Sequence, residues 1–140
     1  MKADFSVGGP SDRLSVALVA VTFCVYAATA ARTITFWEGA HYSLLARTLS
    51  ISNPPGSLLL TLIGRALGDV PFAWPIAFRL NLLAALIGAA TAAVVARIGT
   101  RVADTRNGEP GTAALVGGAV AGLTWAFAAT PWAYATQFAP

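Results

Sequence analysis

The sequence predicts an all-α integral membrane protein with about three transmembrane helices. Of its 140 residues, 56% are hydrophobic and only 11% are charged, whereas soluble domains carry about 25% charged residues. The apolar residues form three long runs, at 14–31, 78–98 and 112–135, and each run is long enough to cross a bilayer as a helix. Such a chain has too little polar surface to cover itself in water, so its expected surroundings are membrane lipid.

The charged residues argue against a nucleic-acid-binding protein. The formal net charge is +3, but the nine basic residues are scattered along the chain. Proteins that bind nucleic acid gather Lys and Arg on one face or in one run. Basic residues in membrane proteins flank the spans on the cytoplasmic side, and we expect that role here.

The first span follows a short polar tail. Residues 1–13 contain charged residues, Gly and Pro and are predicted to form a cytoplasmic tail, and 14–140 are predicted to form one transmembrane domain. The run at 14–31 carries no charge. A signal peptide is the alternative, but its apolar region is usually about 7–15 residues long, so a retained helix is the prediction.

The connection between the first two spans is predicted to hold two short helices on the outer side of the membrane. The segments "HYSLLARTLS" and "LLLTLIGRAL" have helical character but are too short to cross a bilayer. They are expected to lie in the interface, with a re-entrant segment as the alternative for the second. A turn separates them: Pro54 and Pro55 remove two backbone donors, and Gly56 frees the backbone again.

The second and third spans carry faces of small residues. Gly88, Ala92 and Ala96 recur every fourth position in the second span, and Gly118 and Gly122 form a Gly-x-x-x-Gly pair in the third. Small residues let helices approach closely within a membrane. The sequence therefore predicts helix-packing partners for both faces.

The distribution of arginines predicts the orientation. Arg97, Arg101 and Arg106 cluster around the short loop after the second span, whereas the arginines between the first two spans are more dispersed. By the positive-inside rule, this loop and the N-terminal tail are cytoplasmic. The long connection then faces the non-cytoplasmic side.

Candidate catalytic residues lie just beyond the first span. Glu38 is an acid close to hydrocarbon, which suggests a functional role. The alternative is that Glu38 is a solvated carboxylate and that Trp37 beside it is an interfacial anchor. His41 follows three residues later, on the same helical face, where the two could form an acid–base pair. The pair could also be half of a metal site, but the chain has no second such pair. A divalent metal therefore stays open as an unsupported alternative, and no other cofactor is predicted.

Two further features are candidate binding elements. The segment Asn53 to Gly56 is predicted to be a rigid turn that is a candidate for binding. The alternative is that it only forms a corner between two helices. Arg79 begins the second span on the same outer side as Glu38. It either extends to lipid headgroups or holds a lipid phosphate near Glu38.

These residues carry a family resemblance. The segment "TFWEGAHYSLLARTLSISNPPGSLLLTLIGRAL", followed by "FRLNLLAALIGAAT", resembles the N-terminal signature of a family of polytopic membrane glycosyltransferases, formerly a domain of unknown function, that includes protein O-mannosyltransferases of the GT-C superfamily. The resemblance covers about residues 15–138. The departures are Glu38 for aspartate, His41 for glutamate and Asn53 for histidine. The matching positions are Phe36, Trp37, Tyr42, Pro54, Pro55, Gly56, Arg79, Asn81 and Leu82.

The resemblance implies transfer of a sugar from a polyprenyl-phosphate carrier to a protein or glycan acceptor outside the cytoplasm. It makes Glu38 and His41 the catalytic residues. It also implies that Arg79 binds the departing phosphate, whose developing charge a cation stabilises. Trp37, Asn53 and Asn81 become substrate-binding residues.

The resemblance also bears on location and extent. The expected location is the bacterial cytoplasmic membrane, with the N-terminus in the cytoplasm as the positive-inside rule predicts. Members of the family have many more spans, so this chain is expected to be the N-terminal part of a longer enzyme.

Two other classes of protein remain open at this point. The faces of small residues also suit a non-catalytic three-span scaffold or assembly subunit. A transporter fragment is expected to carry charged residues deep within its spans. The three apolar runs have no charged residue there, so this class is less favoured.

Overall fold

The computed structural model describes residues 8–33, 38–50, 58–71, 73–104 and 110–136, and all regular structure within these ranges is helical. The prediction of an all-α chain is confirmed for these residues. They form six helices: α1 (Pro10–Thr29), α2 (Glu38–Thr48), α3 (Leu58–Asp69), α4 (Ile76–Ala103), α5 (Thr112–Ala126) and α6 (Ala129–Thr136).

Two of these helices are long and apolar enough to cross a membrane, namely α1 and α4. A third span results if α5 and α6 are counted as one bent span. The predicted connection does contain two short helices, α2 and α3, but their position in the interface stays a prediction. Most of the predicted tail lies outside the described residues.

The long helices extend past the apolar runs that predict them. α1 starts at Pro10, a residue favoured in the first turn because it needs no amide partner there, and the Asp12 carboxylate accepts a hydrogen bond of 3.0 Å from the Gly8 N–H. α4 has 28 residues, which at 1.5 Å per residue give about 42 Å. Both helices therefore carry polar turns beyond the apolar stretch.

The helix α4 is the centre of the described structure, since it contacts each of the other helices. Arg97 near its C-terminal end forms an ion pair of 2.5 Å with Asp12 in the first turn of α1, so α1 and α4 run antiparallel. We call this the Arg97 end of the bundle and the opposite end the Asn81 end. Large aliphatic side chains cover the outside, as a lipid-facing surface requires: Val16, Val21, Leu86, Ile87, Val94, Val116 and Val120.

The predicted faces of small residues pack against each other between α4 and α5. A Cβ atom added to Gly118 would lie 2.5 Å from the carbonyl oxygen of Ala96, and one added to Gly122 would lie 2.8 Å from that of Ala92. Real Cβ atoms do not come so close, so only glycine fits at either position. The partners predicted for these faces are thus other helices of the same chain.

The third predicted span, 112–135, consists of two helices, α5 and α6, rather than one continuous helix. The chain bends by 65° between α5 and α6. Pro131 is the physical reason, because it has no N–H to bond the carbonyl of Phe127 and its ring would clash with that carbonyl in a continuous helix. In the structure Pro131 lies in the first turn of α6, where proline is tolerated.

Tyr26 of α1 packs into the bend. Its side chain is fully buried, and its hydroxyl donates a hydrogen bond of 2.6 Å to the carbonyl oxygen of Ala126, a group that a continuous helix would bond to the amide of residue 130. The ring makes edge contacts with Trp132 at 5.5 Å and Phe127 at 6.4 Å. A Cβ atom on Gly88 would lie 3.0 Å from this ring. The small face of α4 therefore accommodates Tyr26 as well as α5.

Two adjacent glycines test the contact between α4 and α5. We expect Gly118→Ala to force the helices apart and lower the free energy of unfolding by about 1–3 kcal/mol, the usual cost of overpacking. Gly117→Ala is the matched control: its Cβ would meet only Ala103 at 3.7 Å, so the better helix propensity of alanine should raise stability by about 0.5–1 kcal/mol. Unfolding in mixed detergent micelles measures both, and equal effects would contradict the packing.

Candidate functional site

The hairpin of α2 and α3 packs on the first turns of α4. Ala46 of α2 and Leu80 of α4 are fully buried in one cluster. A Cβ atom on Gly64 of α3 would lie 2.8 Å from the Cβ of Ala46, so α2 and α3 are in close contact. This packing brings the helix that carries His41 to the Asn81 end of the bundle.

Within the described residues, His41 has a buried ring nitrogen without a hydrogen-bond partner. Its Nε2 atom is inaccessible and makes no hydrogen bond within the described part of the chain, while its ring makes an edge contact with Tyr42 at 5.6 Å. Buried polar atoms nearly always have partners, and an exception calls for an explanation such as a catalytic role. This atom is the feature of α2 that best suits the predicted chemistry.

Most of the remaining motif residues around α2 lie outside the described residues. Glu38 is the first residue of α2, and its side chain lies outside the described part of the structure, as do Trp37 and the whole turn Asn53, Pro54, Pro55 and Gly56. Their predicted roles stay predictions.

Arg79 binds the end of α3. Its Nη1 group donates hydrogen bonds to the carbonyl oxygens of Leu67 (2.8 Å), Gly68 (3.3 Å) and Val70 (2.6 Å). The last carbonyls of a helix lack partners within the helix and carry partial negative charge, so the guanidinium caps α3 and fixes the turn into α4. Sequence reasoning missed this role. Phosphate binding by Arg79 stays a prediction.

A polar cavity of about 450 Å³ lies between α2, α3 and the start of α4. Arg47, Arg65 and Arg79 line it together with one carboxylate, Asp69. Arg65 pairs with Asp69 at 3.0 Å and donates a hydrogen bond of 2.6 Å to the carbonyl oxygen of Arg47. Among the described residues that line the cavity, three guanidinium groups stand against one carboxylate, so this lining is electropositive and suits an anion. Sequence reasoning did not single out Arg47 or Arg65.

Asn81 joins three elements. Its side chain is 3% exposed, and its Nδ2 donates a hydrogen bond of 2.6 Å to the carbonyl oxygen of Ala31, just after α1. The amide of Ala31 in turn donates to the carbonyl oxygen of Thr136, the last residue of α6, at 3.1 Å. The start of the connection is thus fastened to both α4 and α6.

These features define a helical chain, suited to an integral membrane protein, whose motif residues gather at one end. A sequence model of the protein O-mannosyl-transferase TMEM260 N-terminal domain matches residues 39–139. The chain belongs to this family, which confirms the resemblance to the N-terminal part of membrane O-mannosyltransferases. Comparisons with curated proteins and with solved structures give no match. The described residues contain no group of three His, Cys, Asp or Glu side chains placed to hold a metal ion.

Removal of the Arg79 side chain tests its role as a cap. We expect Arg79→Met to fray the last turns of α3, because hydrogen bonds to a charged group contribute about 1.5–3 kcal/mol. Amide hydrogen exchange in a peptide over 63–71 should accelerate by roughly tenfold or more. Arg101→Met, at the exposed far end of α4, is the control and should leave this peptide protected. Unchanged protection in Arg79→Met would overturn the cap.

Proposed function

We propose that this chain is the N-terminal part of a GT-C-type membrane O-mannosyltransferase. It would take mannose from a polyprenyl-phosphate carrier and pass it to a protein hydroxyl, or to a glycan, on the non-cytoplasmic side. Membership of the family supports the reaction class. The observation that carries the proposal is the meeting of α2, which bears His41, with the part of α4 that bears Arg79 and Asn81.

The proposed reaction is a displacement at the sugar carbon bound to phosphate. The acceptor oxygen forms the new bond to that carbon, the bond from carbon to phosphate oxygen breaks, and the electron pair leaves with the lipid phosphate. Glu38 takes the proton of the acceptor hydroxyl as general base, and His41 acts beside it on α2. Trp37, Asn53 and Asn81 are assigned to substrate binding.

The electropositive cavity supports the choice of a phosphate leaving group. Charge develops on the phosphate as the bond breaks, and fixed cations stabilise it most where water is scarce. The described lining of the cavity between α2, α3 and α4 contains three cations, of which Arg47 is exposed, Arg65 is paired with Asp69, and Arg79 is bonded to the end of α3. In the proposed reaction Arg79 acts both as a cap of α3 and as part of this positive field.

The proposed topology places the reaction outside the cytoplasm. Arg97 and Arg101 lie at the opposite end of α4 from Arg79 and Asn81, and by the positive-inside rule their end faces the cytoplasm. The N-terminus is then cytoplasmic, α2 and α3 lie in the outer interface, and a bacterial cytoplasmic membrane is the proposed location.

Substitution of Glu38 is the direct test of the catalytic assignment. We expect Glu38→Gln, in the complete product of the gene that encodes this chain, to lower mannosyl transfer by about 10²–10⁴-fold, the usual contribution of a general base. Glu38→Asp should retain more activity, because it keeps the carboxylate and restores the family's residue. Transfer from radiolabelled polyprenyl-phosphate mannose to a protein acceptor measures both. Undiminished transfer by Glu38→Gln would contradict the assignment of Glu38 as general base and would favour a non-catalytic scaffold.

Replacement of His41 separates catalysis from packing. We expect His41→Phe to keep the ring contact with Tyr42 and to remove the unpartnered Nε2 atom, whose burial costs about 1–3 kcal/mol. Thermal stability should therefore hold or rise, while transfer falls by about 100-fold or more. Stability and transfer falling together would instead assign His41 a structural role.

A further inference from the structure

A second cavity, an apolar groove of about 720 Å³, lies between α1 and α4. Phe23 and Ala27 of α1 line one side, and Phe78 and Leu82 of α4 line the other. The two members of each pair are four residues apart, so they share one face of their helix. The groove is separate from the polar cavity at α2 and α3, because the described linings of the two have no residue in common.

The segment before α4 forms the rim of the groove. Trp74 and Pro75 line it there, and the ring of Trp74 makes an edge contact with Phe78 at 5.6 Å. Trp74 is 54% exposed, so the groove opens to the surface at the Asn81 end of the bundle. Tryptophan is favoured at the depth of the lipid headgroups, because its ring is apolar and its N–H is polar. The rim therefore suits the boundary between headgroups and hydrocarbon.

The groove is shallow compared with a bilayer. The stretch of α1 from Phe23 to its end at Thr29 measures about 9 Å along the helix axis. One leaflet contributes about 15 Å of hydrocarbon, which is half of the bilayer core. The groove is therefore contained within one leaflet, a depth that matches the acyl chain of a bilayer lipid.

Arg32 is the single charged residue in the described lining of the groove. Its side chain is exposed, and neither ion pair of the described residues includes it. The residue before it, Ala31, is bonded through its carbonyl oxygen to Asn81 and through its amide to Thr136. The backbone therefore presents a cation from a held position at the mouth of the groove.

The cation at the mouth and the hydrocarbon within define the chemistry of a ligand. A phospholipid places its phosphate at headgroup depth and its acyl chains below it, and a guanidinium group binds phosphate through several N–H donors. A net negative headgroup fits better than a zwitterionic one, whose own ammonium group offsets the charge of the phosphate. Both walls of the groove are candidate membrane spans, so such a lipid would enter from the side.

We propose that the groove binds one acyl chain of an anionic bilayer phospholipid and that Arg32 contacts the phosphate of this lipid. The lipid is distinct from the sugar carrier, and its binding does not depend on the proposed function. It contacts α1, α4 and the segment before α4 together. Because a ligand that binds only the folded state raises its stability, anionic phospholipid should raise the Tm of the protein.

Phosphatidylglycerol is the probe for the charged part of the site. The full chain in dodecyl maltoside micelles is titrated with dioleoyl phosphatidylglycerol or dioleoyl phosphatidylcholine, bound lipid is counted by native mass spectrometry, and the Tm is followed in parallel. We expect phosphatidylglycerol to bind at least about fivefold more tightly and to raise the Tm more, because one arginine near an anionic lipid contributes about that factor. Arg32→Gln should abolish this preference, and Arg32→Lys should keep most of it. Arg101→Gln, at the exposed far end of α4, is the control and should behave as the wild type does.

Two neighbouring alanines test the apolar part of the site. Ala27→Phe places a ring among the side chains that line the groove, so it should remove the binding of phosphatidylglycerol without changing any charge. Ala28→Phe is the matched control, because Ala28 is exposed on α1 and is not part of the described lining. This variant should bind phosphatidylglycerol as the wild type does.

Three results would rule out the assignment. They are equal preference for phosphatidylglycerol in the wild type and Arg32→Gln, equal binding by Ala27→Phe and Ala28→Phe, and displacement of phosphatidylglycerol from the wild type by an equal concentration of decaprenyl phosphate. The last result would give the groove to the carrier instead. None of these measurements uses sugar transfer, so a failure of the proposed function would leave the lipid site standing, and the reverse also holds.

Discussion

The close approach of α4 and α5 is the constraint on which the rest of the bundle depends. Helices in lipid are not driven together by the hydrophobic effect, so their association relies on close packing and interhelical hydrogen bonds. Gly118 and Gly122 supply that packing by bringing α5 against the backbone of α4. With α5 fixed there, the bend after it directs α6 across the end of α1, where Tyr26 and Trp132 meet.

The same end of the bundle is held by polar contacts that connect distant parts of the sequence. Tyr26 bonds the backbone exposed by the bend, Asn81 and Thr136 bond Ala31 from two sides, and Arg79 caps α3. Each polar group is one that would be costly to leave unpaired in hydrocarbon. Arg79 and Asn81 therefore fix the architecture around the candidate site, in addition to the roles proposed for them in its chemistry.

The sequence predicted the helical class, the long spans, the two short helices and the small-residue faces, because apolar runs and four-residue spacings are local signals. It did not predict the break after α5, although Pro131 was visible, since the bend also depends on Tyr26, about a hundred residues away. The capping role of Arg79 was missed for the same reason: its three acceptors belong to another helix.

The double attachment of Ala31 limits how this end of the molecule can move. Separating α1 from α4 or from α6 would leave the carbonyl or the amide of Ala31 without its partner, and a polar group left unpaired in a buried place costs about 1–3 kcal/mol. The backbone at the start of the connection is therefore held in place. By contrast, α2 and α3 contact α4 through a small apolar cluster and the Arg79 cap. A swing of the α2–α3 hairpin away from α4 would leave both hydrogen bonds of Ala31 intact, whereas a parting of the spans would break at least one of them.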